Sequence, residues 1–315
     1  MKKIIFLALG PSLFLFSSLP STIVFAQSVP PKPAEAPPGK TDDGSLFDYQ
    51  MHIRPGKVRS STWWFPLLGY AAPGVPQYMN GQLGAGFVYS GISTGGFILN
   101  AVGSNNGNSD LALLGYKTYE VGGGLSAYHT FRSVVTQRKL NGDFDFLQTE
   151  EKSDDLMLAP FHFEYALRPT TFIPLAVLGA FLVYEHNYMG GGAGSLSLGE
   201  AALTSGVSYG AGVAEETMFR GWMMMNMRES WGSDFWSGFA SGTIFGFAHY
   251  SEENKFPVPQ LLVGYYLGWL TQHNDWTLSE SIFMHTWWDI IAFASSFSQS
   301  NVDTVHWLPR LMITF

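Results

Sequence analysis

The stretch GAGVAEETMFRGW (210–222) sets two adjacent carboxylates and an arginine inside a run of small and apolar residues. An ionisable side chain at the centre of a bilayer costs about 2.5–3.5 kcal/mol, so charges in such a run are paired or face a wet cavity. Glu216 and Arg220 stand four residues apart, in the favourable order for a helical ion pair. Glu215 points about 100° around the same helix and has no partner there. The expectation is one long helix over 197–228, in which Glu216 and Arg220 are scaffold and Glu215 is free to act.

Two further motifs follow on apolar segments. FGFAH (245–249) puts Phe245 and His249 on one helical face, a turn apart. HTWWD (285–289) does the same for His285 and Asp289. Two histidines and two carboxylates converging in a bundle core suit either general-base activation of water or a hydrated divalent metal such as zinc. The metal version takes His249, His285 and Glu215 as ligands, with water in an open position. Each residue also has a structural reading. A lone His packs and hydrogen-bonds, a Glu–Arg pair anchors a helix, and Asp289 orients the His285 ring.

Composition favours a membrane setting. Charged residues make up 13 % of the 315-residue chain, apolar ones 46 % and aromatic ones 16 %, where a soluble domain carries about 25 % charged residues. The net charge of −8 is spread without a basic stripe, so nucleic acid is not an expected partner. Cysteine is absent, which excludes a disulfide framework, a Cys-ligated zinc and a cysteine nucleophile.

The start, MKKIIFLALGPSLFLFSSLPSTIVFAQS, reads as a signal peptide over 1–26, with Lys2 and Lys3 before an apolar core. Residues 27–60 read as a disordered Pro-rich linker. Residues 61–150 form a membrane-associated region of unassigned role, with a span near 80–102 and a weaker, amphipathic or buried candidate over 111–135. The polar segment 136–155 is read as a boundary loop. Spans are expected over 170–187, 234–250, 258–272 and 277–298, giving an all-α, polytopic bundle in the cell membrane. Trp222, Trp231, Trp236, Trp269 and Trp276 lie near expected helix ends and are candidates for an aromatic belt. His52, His129, His162, His186, His273 and His306 are read as surface or interfacial, and Met223–Met225 with Met227 as packing.

The set EETMFR (215–220), FGFAH and HTWWD resembles the three motifs of the CPBP intramembrane proteases, a group that includes CAAX prenyl endopeptidases and bacteriocin-processing and immunity proteins. The resemblance covers roughly 155–300, about half of the chain, within a domain read as 155–315. It implies an all-helical fold with the site sunk in the membrane. It further implies that Glu215 and His249 activate the attacking water and that His285 and Asp289 hold the oxyanion. Glu216, Arg220 and Phe245 would support them. The last motif position is often Asn in that family and is Asp here. An ionised Asp cannot donate to an oxyanion, so a protonated or an orienting Asp289 is implied. The metal question stays open on this reading. The partners implied are membrane lipid and a membrane-bound protein or peptide substrate.

Other classes compete. A non-catalytic scaffold or immunity-type binding protein would use the same charges to hold helices, and a transporter or proton relay also uses intramembrane Glu and His. FASG (239–242) is a poor match to a rhomboid-type serine motif, and neither His-Glu-x-x-His nor Gly-x-Gly-Asp occurs.

Overall fold

The computed structural model describes residues 61–140, 151–188, 197–251 and 255–298. The expected signal peptide and Pro-rich linker lie outside them. Every regular element among the described residues is helical. In the first half these are α1 (Trp64–Ala71), α2 (Val75–Met79), α3 (Leu83–Asn105), α4 (Ser109–Leu140) and α5 (Ser153–Leu158). Two short 3-10 turns lead into α6 (Pro169–Tyr188). The second half holds α7 (Leu198–Met218), a π turn (Phe219–Met224), α8 (Met225–Trp231), α9 (Asp234–Ala248), α10 (Val258–His273) and α11 (Ser279–Ser298).

Three boundaries differ from the sequence reading. The region 136–155 is not one loop, because α4 runs on through Thr136–Leu140 and α5 begins at Ser153. The helix expected over 197–228 changes hydrogen-bond register in the π turn, which begins three residues after Glu216. A π turn inserts one extra residue per turn and re-aims the side chains that follow it. The weak candidate at 111–135 lies within α4, a 32-residue helix that supplies much of the core. Its buried charges, Lys117 and Arg132, are the reason hydropathy understates it.

Many large apolar side chains face outward and several charged or polar ones are buried beside the apolar core. Phe87, Phe97, Ile98, Phe172, Val177 and Phe235 face outward, while Gln77, Lys117, His129, Arg132 and Arg220 are buried. Lipid demands this arrangement, since polar groups must find partners inside the protein. By length and composition one described helix, α3, can cross a bilayer, and Pro169–Tyr184 is a shorter apolar stretch. The helices α9 and α10 have 15 and 16 residues, short of the ~20 that a straight span needs.

The tryptophan and histidine expectations divide. Trp231, Trp236 and Trp269 are exposed, as a belt requires. Trp222 and Trp276 are buried, and Trp222 donates its Nε1–H to the carbonyl of Thr62 at 2.9 Å. His129 is fully buried rather than interfacial, with Nδ1 2.9 Å from the Tyr89 hydroxyl. His52 and His306 lie outside the described residues. Met224 and Met225 are core packing.

Two glycines of the opening stretch position the site. A Cβ on Gly210 would stand 2.8 Å from Cβ of Lys117 on α4, and one on Gly212 would stand 2.1 Å from Oγ1 of Thr286 on α11. Glycine at these positions lets α7 close on both neighbours, as small residues do between membrane helices. At its start, α7 is capped by Ser197, whose Oγ accepts from Glu200 N at 3.2 Å, while the Glu200 carboxylate accepts from Ser197 N at 2.8 Å. The first turn of α11 is held by Glu151, whose buried carboxylate accepts from the backbone N–H groups of Leu278 and Ser279 at 2.5 and 3.1 Å.

Candidate active site

The site forms where the end of α7 meets α4, α9, α10 and α11. Glu216 and Arg220 are completely buried and paired at 2.8 Å, at the helical spacing expected. Arg220 also donates to the carbonyl of Gly264 on α10 at 3.0 Å, and its guanidinium lies 4.3 Å from the ring centre of Phe245 on α9. One arginine thus ties three helices together. Phe245 is in turn in ring contact with His249 and His285, at centroid distances of 4.8 and 5.7 Å.

His249 is the residue just past the end of α9. Its Nδ1–H donates to the carbonyl of Phe245 at 2.8 Å. A carbonyl can only accept, so in the neutral ring the lone pair sits on Nε2. That Nε2 stands 3.8 Å from Oε2 of Glu215. His285 presents Nε2 to the same oxygen at 3.9 Å, and Asp289 Oδ2 lies 3.6 Å from His285 Nε2. The four residues singled out in the sequence therefore surround one point. They line a cavity of about 60 Å³, large enough to admit water. Its remaining wall is largely apolar, with Val207, Val263, Trp288 and Phe293.

Three details correct the sequence reading. Glu215 is not unpaired: Oε1 accepts from Nζ of Lys117 at 3.0 Å, and it is Oε2 that has no hydrogen-bond partner. Lys117 is buried on α4 and also donates to Glu120 at 2.8 Å. Residues 61–150 were assigned no chemistry, yet they place this cation against the central carboxylate. Glu216 is more than scaffold, because its Oε1 accepts from Nδ1–H of His285 at 2.7 Å. The His285 ring is therefore held by Glu216, and Asp289, at 3.6 Å, is beyond hydrogen-bond distance.

The spacing also bears on a metal. A tetrahedral zinc with ligands about 2.0–2.2 Å away sets two donor atoms roughly 3.4 Å apart. The separations of 3.8 and 3.9 Å are wider. Among the described residues no group of three His, Asp or Glu side chains forms a metal-holding set. A water about 2.8 Å from both atoms of such a pair spans 3.8–3.9 Å at an angle of roughly 90°. Ser241, in the segment with partial likeness to a serine motif, is buried and donates to the carbonyl of Phe219 at 2.9 Å, so it is a packing residue.

Residues 198–291 match the family model described as type II CAAX prenyl endopeptidase Rce1-like. No curated protein and no solved structure matches the chain. The matched segment begins at the first residue of α7 and contains all three motifs. Residues 198–291 are thus similar to the Rce1-like type II CAAX prenyl endopeptidases, membrane-embedded helix-bundle proteases, and this match supports membership of the CPBP group.

Proposed function

We propose that the protein is a multi-pass intramembrane endopeptidase that hydrolyses a peptide bond in a membrane-bound protein or peptide, with a water activated by Glu215 and His249. The observation that carries this reading is Oε2 of Glu215. It is a buried carboxylate oxygen without a hydrogen-bond partner, aimed between Nε2 of His249 and Nε2 of His285 in a cavity that admits water.

A water held there donates one hydrogen to Oε2 and the other to the Nε2 lone pair of His249. As its oxygen bonds to the scissile carbonyl carbon, one proton passes to Glu215 and the carbonyl oxygen becomes an oxyanion. His285 faces that oxyanion. Because its Nδ1–H is given to Glu216, donation from Nε2 uses the imidazolium form, with the carboxylates of Glu216 and Asp289 as counter-charges. The proton on Glu215 then passes to the departing amine as the C–N bond breaks. Positioned acid–base groups of this kind contribute about 10²–10⁴ in rate. The apolar wall suits a substrate segment that arrives from lipid.

The test uses full-length protein in detergent with two fluorogenic probes, a peptide ending in a farnesylated CAAX box and an unprenylated apolar peptide. Cleavage of either is expected, and Glu215→Gln is expected to lower it by about 100-fold or more with the protein still folded. Activity is expected to survive a strong chelator. Loss on chelation with rescue by zinc would establish the metal version, and wild-type rates in both Glu215→Gln and His249→Ala would leave a scaffold or binding role.

A further inference from the structure

We infer that Lys117, on a helix outside the matched family segment, is a positioning residue of this site: its ammonium holds one oxygen of Glu215 so that only the other faces the water. The inference rests on the reading of Glu215 as the water-activating base.

The geometry divides the two carboxylate oxygens. Oε1 is engaged by Lys117 at 3.0 Å, and Oε2 faces both histidines without a hydrogen bond. A glutamate carboxylate turns easily about its last torsion, whose wells are broad and two-fold. An ammonium on one oxygen removes that freedom and fixes the lone pairs of the other towards the cavity. Lys117 is itself anchored. Its second partner, Glu120, accepts from the Tyr70 hydroxyl at 3.2 Å, so α1 and α4 together hold the ammonium in place.

Charge balance points the same way. Four carboxylates, Glu120, Glu215, Glu216 and Asp289, are buried around the site with two strongly basic side chains, Lys117 and Arg220. Arg220 is bonded to Glu216 and to a backbone carbonyl. Lys117 is the cation in contact with Glu215. A lysine that served Glu120 alone, three residues along its own helix, had no need to reach α7. The close approach that brings it there depends on Gly210, where a Cβ would stand 2.8 Å from that of Lys117.

The experiment compares Lys117→Met, Lys117→Arg and the double variant Lys117→Met/Glu120→Gln with wild type, in full-length protein. It uses whichever of the farnesylated CAAX peptide and the unprenylated peptide wild type cleaves. Lys117→Met is expected to lower kcat by about 100-fold or more with KM within about threefold. Lys117→Arg, which keeps a cation at the position, is expected to recover at least a tenth of wild-type kcat, by the order of the tenfold changes that such geometry sets. The double variant removes the α4 ion pair as a pair. It leaves no charge stranded on α4, so it is expected to melt closer to wild type than Lys117→Met while its kcat stays low. A double variant with wild-type kcat would assign Lys117 to Glu120 alone and overturn the inference while leaving the protease reading standing. A wild type that cuts neither probe would overturn both.

Discussion

At the residue scale, one oxygen of the Glu215–Glu216 pair serves two partners. Glu216 neutralises Arg220 and orients His285 through the same oxygen. Removing it strands a buried guanidinium, which costs about 3–5 kcal/mol, and releases the ring. Glu216→Ala is therefore expected to lower the melting temperature and the activity together, whereas Glu215→Gln lowers activity alone. Thermal melts in detergent beside cleavage rates separate the two. Asp289 is a different case. It does not hold the ring, and its Oδ2 lies 3.6 Å from His285 Nε2. An amide there loses one counter-charge but gains an N–H donor that an ionised carboxylate lacks. Asp289→Asn is expected to keep activity within about tenfold of wild type, where removing one dedicated oxyanion donor costs ~10²–10³. A fall of the larger size would assign Asp289 an acidic role in the reaction.

At the element scale, α7 acts as the hub because glycine lets it approach its neighbours. Gly212 meets Thr286 Oγ1 at 2.1 Å and the carbonyl of Ile282 at 3.1 Å from the position a Cβ would take. Gly212→Val is expected to push α11, with His285 and Asp289, away from α7. Overpacking of this kind costs about 1–3 kcal/mol, and the displaced histidine should remove activity even where the protein still folds. Gly91 on α3 provides the control, since nothing lies within 4 Å of its Cβ position. Gly91→Ala is expected to leave the rate unchanged and to stabilise α3 by up to ~1 kcal/mol through helix propensity. The π turn matters at the same scale. It begins at Phe219, three residues after Glu216, and carries Arg220, so the register change lies between the carboxylates and the guanidinium that joins them to α9 and α10.

At the scale of the molecule, the matched segment carries Glu215, His249, His285 and Asp289, and helices outside it pack against them. The helix α4 buries Leu125 and Tyr128 in the same core as Val213 and Ala214 of α7 and Ile282 of α11. It also brings Lys117 to Glu215. A chain that lacks 61–140 would leave that face of α7 open and Glu215 without its cation. Deletion of 61–140 is expected to give protein that does not accumulate in the membrane fraction or, where it does, has no cleavage activity, read by fractionation and the peptide assay. An active, stable deletion variant would reduce the N-terminal helices to an accessory.

What was legible in the sequence was whatever a single helix determines. Glu216 and Arg220 pair because they are four residues apart, and Phe245 with His249 and His285 with Asp289 share faces for the same reason. The helical class was legible too, from apolar segments with embedded small residues, and the three motifs carried the family. The contacts that decide the chemistry were not legible. Lys117 and Glu215 are separated by 98 residues, and His285 and Glu216 by 69. Helical periodicity relates residues within a turn or two of each other, and it is silent on which face of α4 meets which face of α7 or α11. That choice belongs to tertiary packing, through the close approaches at Gly210 and Gly212. In a low-dielectric interior every buried charge must find a partner, so the packing that brings these helices together also decides which oxygen of Glu215 is left to face the cavity.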